Sequence, residues 1–371
     1  MFSKGVKPMC RSLRKIAVCF LSETNVASRR LSLSSVFKST YSSTTSHIHR
    51  LNAKSQSTAS QNHILNGTSR ADVKFLQSSE SCRRFLDRYD NFLFDCDGVL
   101  WENDHVTHIP GISEAIHLLQ DLNKRLIYVT NNSTKSRLDL QNKFNEHGFH
   151  SPLENVFTNS YACALYLKEF LGVKDSVYLI SGEGTKWELD QLGIGHFGSG
   201  ADLCQPSSHV STLLKHKFND EVTSVLVGFD EHFSYNKIFK AASYLMDPNC
   251  HFVATNIVEK SAIIGREGRK MKMPLTGVMV NAIAEAAGRQ PVIVGKPFNT
   301  MFDCVRKQLP DLDLSRTVFI GDSLKADMGF AKSVGIDSAL VLTGVNTSSD
   351  ISQFPDLCPE FVLRSLADIV H

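Results

Sequence analysis

The sequence predicts an α/β protein, a Rossmann-like parallel sheet core carrying a second, inserted α/β unit. Three observations predict it. From about residue 88, short β-rich runs alternate with amphipathic helical stretches, the pattern of parallel strands covered by helices. The residues with the most chemistry stand just after apolar runs, and open parallel sheets bind ligands outside the carboxyl ends of their strands. With 371 residues, 42% of them hydrophobic, the chain can build a large core and more than one domain.

Taken in order, "NFLFD" (Asn91–Asp95) reads as the first strand and Ser113–Leu122 as a helix. "RLIYVT" (Arg125–Thr130) is a strand, Lys135–Glu146 a helix and "SVYLIS" (Ser176–Ser181) a further strand. The pattern resumes with "PVIVG" (Pro291–Gly295), a helix over Asn299–Gln308, "TVFIG" (Thr317–Gly321), a helix over Ala326–Val334 and "SALVLTG" (Ser338–Gly344). Between them, Gly182 to Arg289 has its own strands (Ser224–Asp230, His251–Asn256) and helices (Asn236–Met246, Thr276–Ala287). The expected organisation is therefore an N-terminal segment over 1–85, core over 86–182, insert over 183–289 and core again over 290–371.

The N-terminal segment differs in composition. Residues 1–60 hold ten Lys/Arg and one acid, Glu23, which leaves 30 basic against 37 acidic residues in 61–371. The body is thus mildly acidic and lacks the basic footprint of a nucleic-acid binder. The Ser- and Arg-rich, acid-poor N-terminus is expected not to bury enough apolar surface to fold alone, and it has the composition of an organelle transit peptide. A plain arm without an address is the other reading, so location stands between cytoplasmic and mitochondrial. The apolar patch Ile16–Leu21 is too short to span a bilayer, and no membrane partner is expected. Nine scattered cysteines without CxxC pairs read as free thiols in a reducing compartment, with Cys96 a small buried residue. "GIGHFG" (Gly193–Gly198) fits GxGxxG literally, but it follows a helical run and enters a loop, so helix-ending and turn glycines are the better reading.

The chemistry gathers at strand ends. Asp95 and Asp97 follow the first strand; Thr130, Asn131 and Asn132 follow the second; Lys296 follows "PVIVG"; Asp322 and Asp327 follow "TVFIG". Carboxylates in an oxygen-rich shell suit a hard cation such as Mg²⁺. A lysine, a threonine hydroxyl and turn N–H groups suit a phosphoryl dianion. Together they suggest covalent phosphoryl transfer, in which a carboxylate attacks phosphorus and water hydrolyses the acyl-phosphate. Each motif alone is weak, since a lone DxD is most often a turn; their joint order gives them weight.

"DCDGVLW", "VTNNSTKSR", "VGKPFNTMFD" and "GDSLKADMGFA" resemble the four motifs of haloacid dehalogenase superfamily phosphatases, most closely the branch of phosphoglycolate, pyridoxal and 4-nitrophenyl phosphatases. The resemblance runs from about residue 88 to 345, with "VGFDEHFSYNKIFKA" in the insert. It implies that Asp95 is the nucleophile and Asp97 the general acid/base. It implies that Thr130, Asn131, Asn132 and Lys296 bind phosphate, and that Asp95, Asp322 and the main-chain carbonyl of Asp97 hold Mg²⁺, with Asp327 in support. Asp327 could equally be a charge at a helix N-terminus. The insert becomes a cap that excludes water and selects the leaving group, and relatives often pair as homodimers through it. The implied substrate is a small phosphorylated metabolite, 2-phosphoglycolate first and pyridoxal 5′-phosphate or 4-nitrophenyl phosphate as alternatives. A non-catalytic regulatory protein on the same fold is the reading from another class, and a phosphotransferase is a third. Two departures stand out: Val258 where relatives commonly carry an aspartate, and Ser323 after Asp322 where they usually have arginine.

Overall fold

A computed structural model describes residues 73–204, 209–258, 260–264 and 269–370. The transit-peptide reading and the apolar patch Ile16–Leu21 lie outside these residues. Among the described residues no helix is long and apolar enough to cross a membrane.

In chain order the strands are β1 (Lys74–Phe75), β2 (Asn91–Phe94), β3 (Arg125–Thr130), β4 (Val156–Thr158), β5 (Val177–Ile180), β6 (His196–Phe197) and β7 (Ser224–Val227). They continue with β8 (His251–Ala254), β9 (Lys260–Ile264), β10 (Lys270–Pro274), β11 (Val292–Ile293), β12 (Thr317–Gly321), β13 (Asp337–Val341) and β14 (Phe361–Leu363). A seven-stranded parallel sheet runs in the order β1-β14-β13-β12-β2-β3-β4, and a five-stranded parallel sheet in the order β11-β8-β7-β5-β6. β9 and β10 form a separate antiparallel hairpin.

Both sheets are buried on two sides, which explains why their strands read as continuous apolar runs. Alternate residues of each strand serve different cores. Phe92, Phe94, Leu126, Tyr128, Val318 and Ile320 face helices 79–88, 112–121 and 137–146. Leu93, Ile127, Val129 and Phe319 face helices 159–169 and 299–308, in an apolar cluster shared with Val177, Leu179, Leu226 and Val253 of the second sheet. Tyr178, Ile180, Val225, Val227, Phe252 and Ala254 cover the far face of that sheet with helices 235–244 and 276–287. The layers are thus helix, sheet, helix, sheet, helix.

Three expectations need correction. The fold begins well before residue 86: β1 pairs with β14, and helix Ser79–Arg88 buries Cys82, Phe85 and Leu86 behind a Ser78–Ser81 capping box. Its serine-rich start made it look like part of the N-terminal segment, yet serine is also what a helix N-cap requires. Next, β5 and β11 belong to the second sheet, so the insert runs from about residue 177 to 293, wider than 183–289. Alternation of strands and helices does not say which sheet a strand joins; pairing of β5 with β7 and of β11 with β8 decides it. Lastly, the core sheet takes β4, three residues running straight into helix Asn159–Glu169, too short for a periodic signal. Elsewhere Arg125–Thr130, Asn299–Gln308, Thr317–Gly321 and Thr276–Ala287 fall where the sequence placed them. Gly193 (φ 67) and Gly198 (φ 101) take the left-handed conformation after helix Glu183–Gln191, as turn glycines do.

Candidate active site

In the core sheet the chain runs from β2 outward to β3 and β4 on one side, then returns to β12, β13 and β14 on the other. The order reverses at β2, and a crevice at the strands' carboxyl ends belongs there. Asp95 follows β2, Thr130 ends β3 and Asp322 follows β12. Lys296 arrives differently from the sequence expectation. It follows β11 of the second sheet and is carried back to the core edge, with Gly295 N–H donating to the Thr255 carbonyl at 2.8 Å.

The Lys296 ammonium lies 3.0 Å from Asp95 Oδ1 and 2.8 Å from Asp327 Oδ1, with its side chain fully buried. Asp327 is fully buried too, so it is no exposed helix charge; its Oδ2 accepts the N–H of Asp322 (3.1 Å) and of Ser323 (3.0 Å). A wide π-type turn over Leu324–Met328 aims it inward. Asp322 Oδ2 accepts the Val345 N–H at 2.7 Å. The carboxylates of Asp95, Asp322 and Asp327 have oxygens within 4.8 Å of one another. Gly98 (φ 77) and Gly344 close round Asp322: a Cβ on either would lie 2.2 Å and 1.9 Å from its Oδ2. Side chains are excluded there, and the carboxylate edge is kept clear.

Electrostatics follow from this crowding. Burial pushes the Asp95 carboxyl well up, Lys296 opposing and Asp327, Asp322 and Asp97 adding to it. Burial, then Asp327, raise Asp322 to about 7. Burial works against the Lys296 charge, but Asp327 and Asp95 hold its pKa above the ordinary lysine value. Three carboxylates face one ammonium, an excess of two negative charges when all are ionised. An all-oxygen donor set with that excess fits a hard divalent cation.

A pH dependence follows. Asp322 ionises near 3.8 when unfolded but at about 7 in the fold, so between those values the folded state holds the extra proton. Raising the pH through that window removes stability from the metal-free protein. Its unfolding temperature is expected to fall from pH 4 toward pH 7, and Mg²⁺ to raise it most at the upper end, where the carboxylates are free to bind. Thermal unfolding across pH with and without Mg²⁺ checks this; a flat profile that Mg²⁺ does not move would contradict it.

The side chains of the Asn131–Asn132 turn are engaged within the protein. The Asn131 amide spends both polar ends on Lys296, accepting its N–H at 2.8 Å and donating to its carbonyl at 3.0 Å. Asn132 Oδ1 accepts from Thr134 N–H and hydroxyl. These side chains build the loop, and the buried Thr130 hydroxyl accepts the Asn132 N–H at 3.1 Å. Asn159 and Asn256, which sequence reasoning missed, both donate to the Asn131 carbonyl, at 2.9 and 3.2 Å. Asn159 stands after the unrecognised β4; Asn256 stands two residues before Val258. Beneath the loop, buried Glu188 accepts the Arg137 N–H at 2.7 Å and pairs with its guanidinium at 3.0 Å.

Asp97 is close by but not in the acidic cluster. Its Oδ1 accepts Trp101 Nε1–H at 2.6 Å and His105 Nδ1–H at 2.8 Å. Burial alone would raise its pKa, but the hydrogen bonds and charge of His105, then Trp101, bring it below the ordinary carboxylate value. A metal-binding part for Asp97 rests on its carbonyl, not its carboxylate. Cys96 is buried between the two aspartates, as expected.

The chain matches the family model described as haloacid dehalogenase-like hydrolase over residues 92–195 and one described as HAD-hydrolase-like over 293–369. It is 35% identical to a 4-nitrophenylphosphatase of Schizosaccharomyces pombe, covering 81% of this chain and 99% of that one. It is 36% identical to a glycerol-3-phosphate phosphatase of Gallus gallus (78% and 94%) and 33% identical to phosphoglycolate phosphatase 2 of Arabidopsis thaliana (80% and 97%). Among solved structures it resembles a p-nitrophenyl phosphatase from Archaeoglobus fulgidus, with TM-score 0.63, 26% identity and coverage of 76% and 98%.

Proposed function

We infer the reaction from one premise: this chain belongs to the haloacid dehalogenase-like hydrolases and is a phosphoric monoester hydrolase acting on small phosphate substrates. The reading is phosphate ester hydrolysis through an aspartyl-phosphate on Asp95. The observation that carries it is the buried Lys296 ammonium bridging Asp95 and Asp327 beside Asp322.

Asp95 has the most exposed side chain of that cluster, at 14%, so it can meet an incoming phosphorus. Lys296 balances its charge and that of the phosphoryl oxygens. Thr130 and the Asn131–Asn132 main chain orient the phosphoryl group, and Asp97 gives a proton to the leaving oxygen, then takes one from the attacking water. Asp95, Asp322 and the Asp97 carbonyl would hold Mg²⁺, which when bound neutralises phosphoryl charge. Phosphate release on a panel of phosphomonoesters, with Mg²⁺ and with EDTA, tests the reading. Turnover that requires Mg²⁺ supports it; turnover unaffected by EDTA counts against the metal, and no turnover on any ester counts against the reaction.

For the leaving group, 2-phosphoglycolate giving glycolate is the first reading, supported by the similarity to a phosphoglycolate phosphatase. A second rests on the loop beyond Asn256, where Ile257 and Val258 stand 44% and 45% exposed beside the site. Apolar side chains there suit an aromatic leaving group, such as 4-nitrophenyl or the pyridine ring of pyridoxal 5′-phosphate. Val258→Asp, which introduces the relatives' residue, is expected to lower kcat/KM for 4-nitrophenyl phosphate relative to glycerol-3-phosphate by about tenfold. Unchanged ratios would remove Val258 from substrate selection.

A further inference from the structure

The loop between Trp101 and His108 is built around one histidine. Trp101 and His108 pair across its base, Glu102 N–H donates to the Thr107 carbonyl at 2.9 Å, and His105 N–H donates to the Glu102 carbonyl at 3.0 Å. Asp104 locks the tip: its Oδ1 accepts the N–H groups of Val106 and Thr107, both at 2.8 Å, and its Oδ2 accepts the Thr107 hydroxyl at 2.5 Å. Within this frame His105 takes a left-handed backbone, φ 62, which side chains other than glycine's adopt at a cost. That conformation directs its ring to Asp97.

We propose that His105 is the positioning residue of the acid/base step: with Trp101 it holds Asp97 Oδ1, leaving Oδ2 as the oxygen that carries the proton to the leaving group. The inference rests on the phosphatase reading above. Two donors within 2.8 Å saturate Oδ1 and fix the carboxyl's rotation. A proton on Asp97 then resides on Oδ2. In the step itself the Asp95–phosphorus bond forms, the phosphorus–ester oxygen bond breaks, and the Oδ2 proton moves to that oxygen. His105 contributes only its Nδ1 hydrogen, which the neutral ring can also carry; nothing in the proposal requires it to change charge. Trp101 is buried and cannot adjust, whereas the His105 side chain is 55% exposed, so its attachment to Asp97 is a choice of the loop and not a result of packing.

The leaving group supplies the test. An alkoxide must be protonated as it departs, whereas 4-nitrophenolate is stable as an anion near neutral pH. His105→Gly keeps the left-handed backbone but removes the donor; His105→Asn keeps both, its amide nitrogen lying near the Nδ1 position. Expected for His105→Gly is a kcat/KM loss of about tenfold to a hundredfold on glycerol-3-phosphate or 2-phosphoglycolate, and of less than about threefold on 4-nitrophenyl phosphate, since kcat/KM reports the steps up to departure of the alcohol and not the later water attack. His105→Asn is expected to recover most of the loss. Equal losses on alkyl and aryl esters, or no loss on the alkyl ester, would overturn the proposal. So would a wild-type protein that cleaves the aryl ester but no alkyl ester. Wild-type protein that cleaves neither would instead overturn the phosphatase reading.

Discussion

Asp95→Asn is expected to abolish phosphate release, by about four orders of magnitude or more, while leaving the protein as stable as before or more so. Loss of a nucleophile on this scale matches what removal of an activated nucleophile costs elsewhere. The stability half of the prediction comes from the electrostatics. Burial holds the Asp95 charge at a disadvantage that three neighbouring acids deepen, offset by Lys296 and by the Cys96 N–H that donates to its Oδ1 at 2.7 Å. A neutral amide of the same shape relieves the repulsion with Asp327 and Asp322, which the Lys296 ammonium can then serve fully. Unfolding temperature and phosphate release measured on the same preparation check both halves. Residual turnover within about tenfold of wild type would rule out a covalent role for Asp95.

Lys296→Met is the variant expected to do most damage, because it removes both activity and stability. Two buried carboxylates lose their shared counter-charge, and breaking a buried pair by removing one partner costs about 3–5 kcal/mol. In a domain of this size that lowers the unfolding temperature by on the order of 10 °C. The double variant Lys296→Met with Asp327→Asn restores the charge balance. It is expected to recover much of the stability and none of the activity, which separates the electrostatic role of the lysine from its packing. Calorimetry and a phosphate assay on the two proteins read this out. A single variant as stable as wild type would contradict the ion pairs.

How much of this could be read from the sequence depends on the kind of information. Asp95, Thr130 and Asp322 were legible because each ends or follows an apolar run that pairs in the core sheet. Their convergence needed only that the strands be parallel. Lys296 was found through its motif, but its route was misread, because pairing between β11 and β8 is tertiary and leaves no local mark. Asp327 was ambiguous for a similar reason: a carboxylate near a helix start looks the same whether the helix end is exposed or buried over Lys296. The Asn131 side chain gave no sign of its partner, the Lys296 main chain, 165 positions away in sequence. His105 carried no signal at all. Its part depends on a left-handed backbone and on the turn that Asp104 holds, neither of which a residue pattern spells out.

The aspartyl-phosphate on Asp95 is an intermediate that can be trapped. Asp97→Asn should slow the water attack that discharges the aspartyl-phosphate, with 4-nitrophenyl phosphate still able to load it because its leaving group needs little protonation. Mixing that variant with 4-nitrophenyl phosphate labelled with radioactive phosphorus, quenching in acid and mapping the labelled peptide reads out the site. The predicted result is an acid-stable, hydroxylamine-labile label on the peptide containing Asp95, approaching one phosphoryl group per chain. Label on another residue, or release of phosphate with no protein-bound label at any time in either the variant or the wild type, would contradict it.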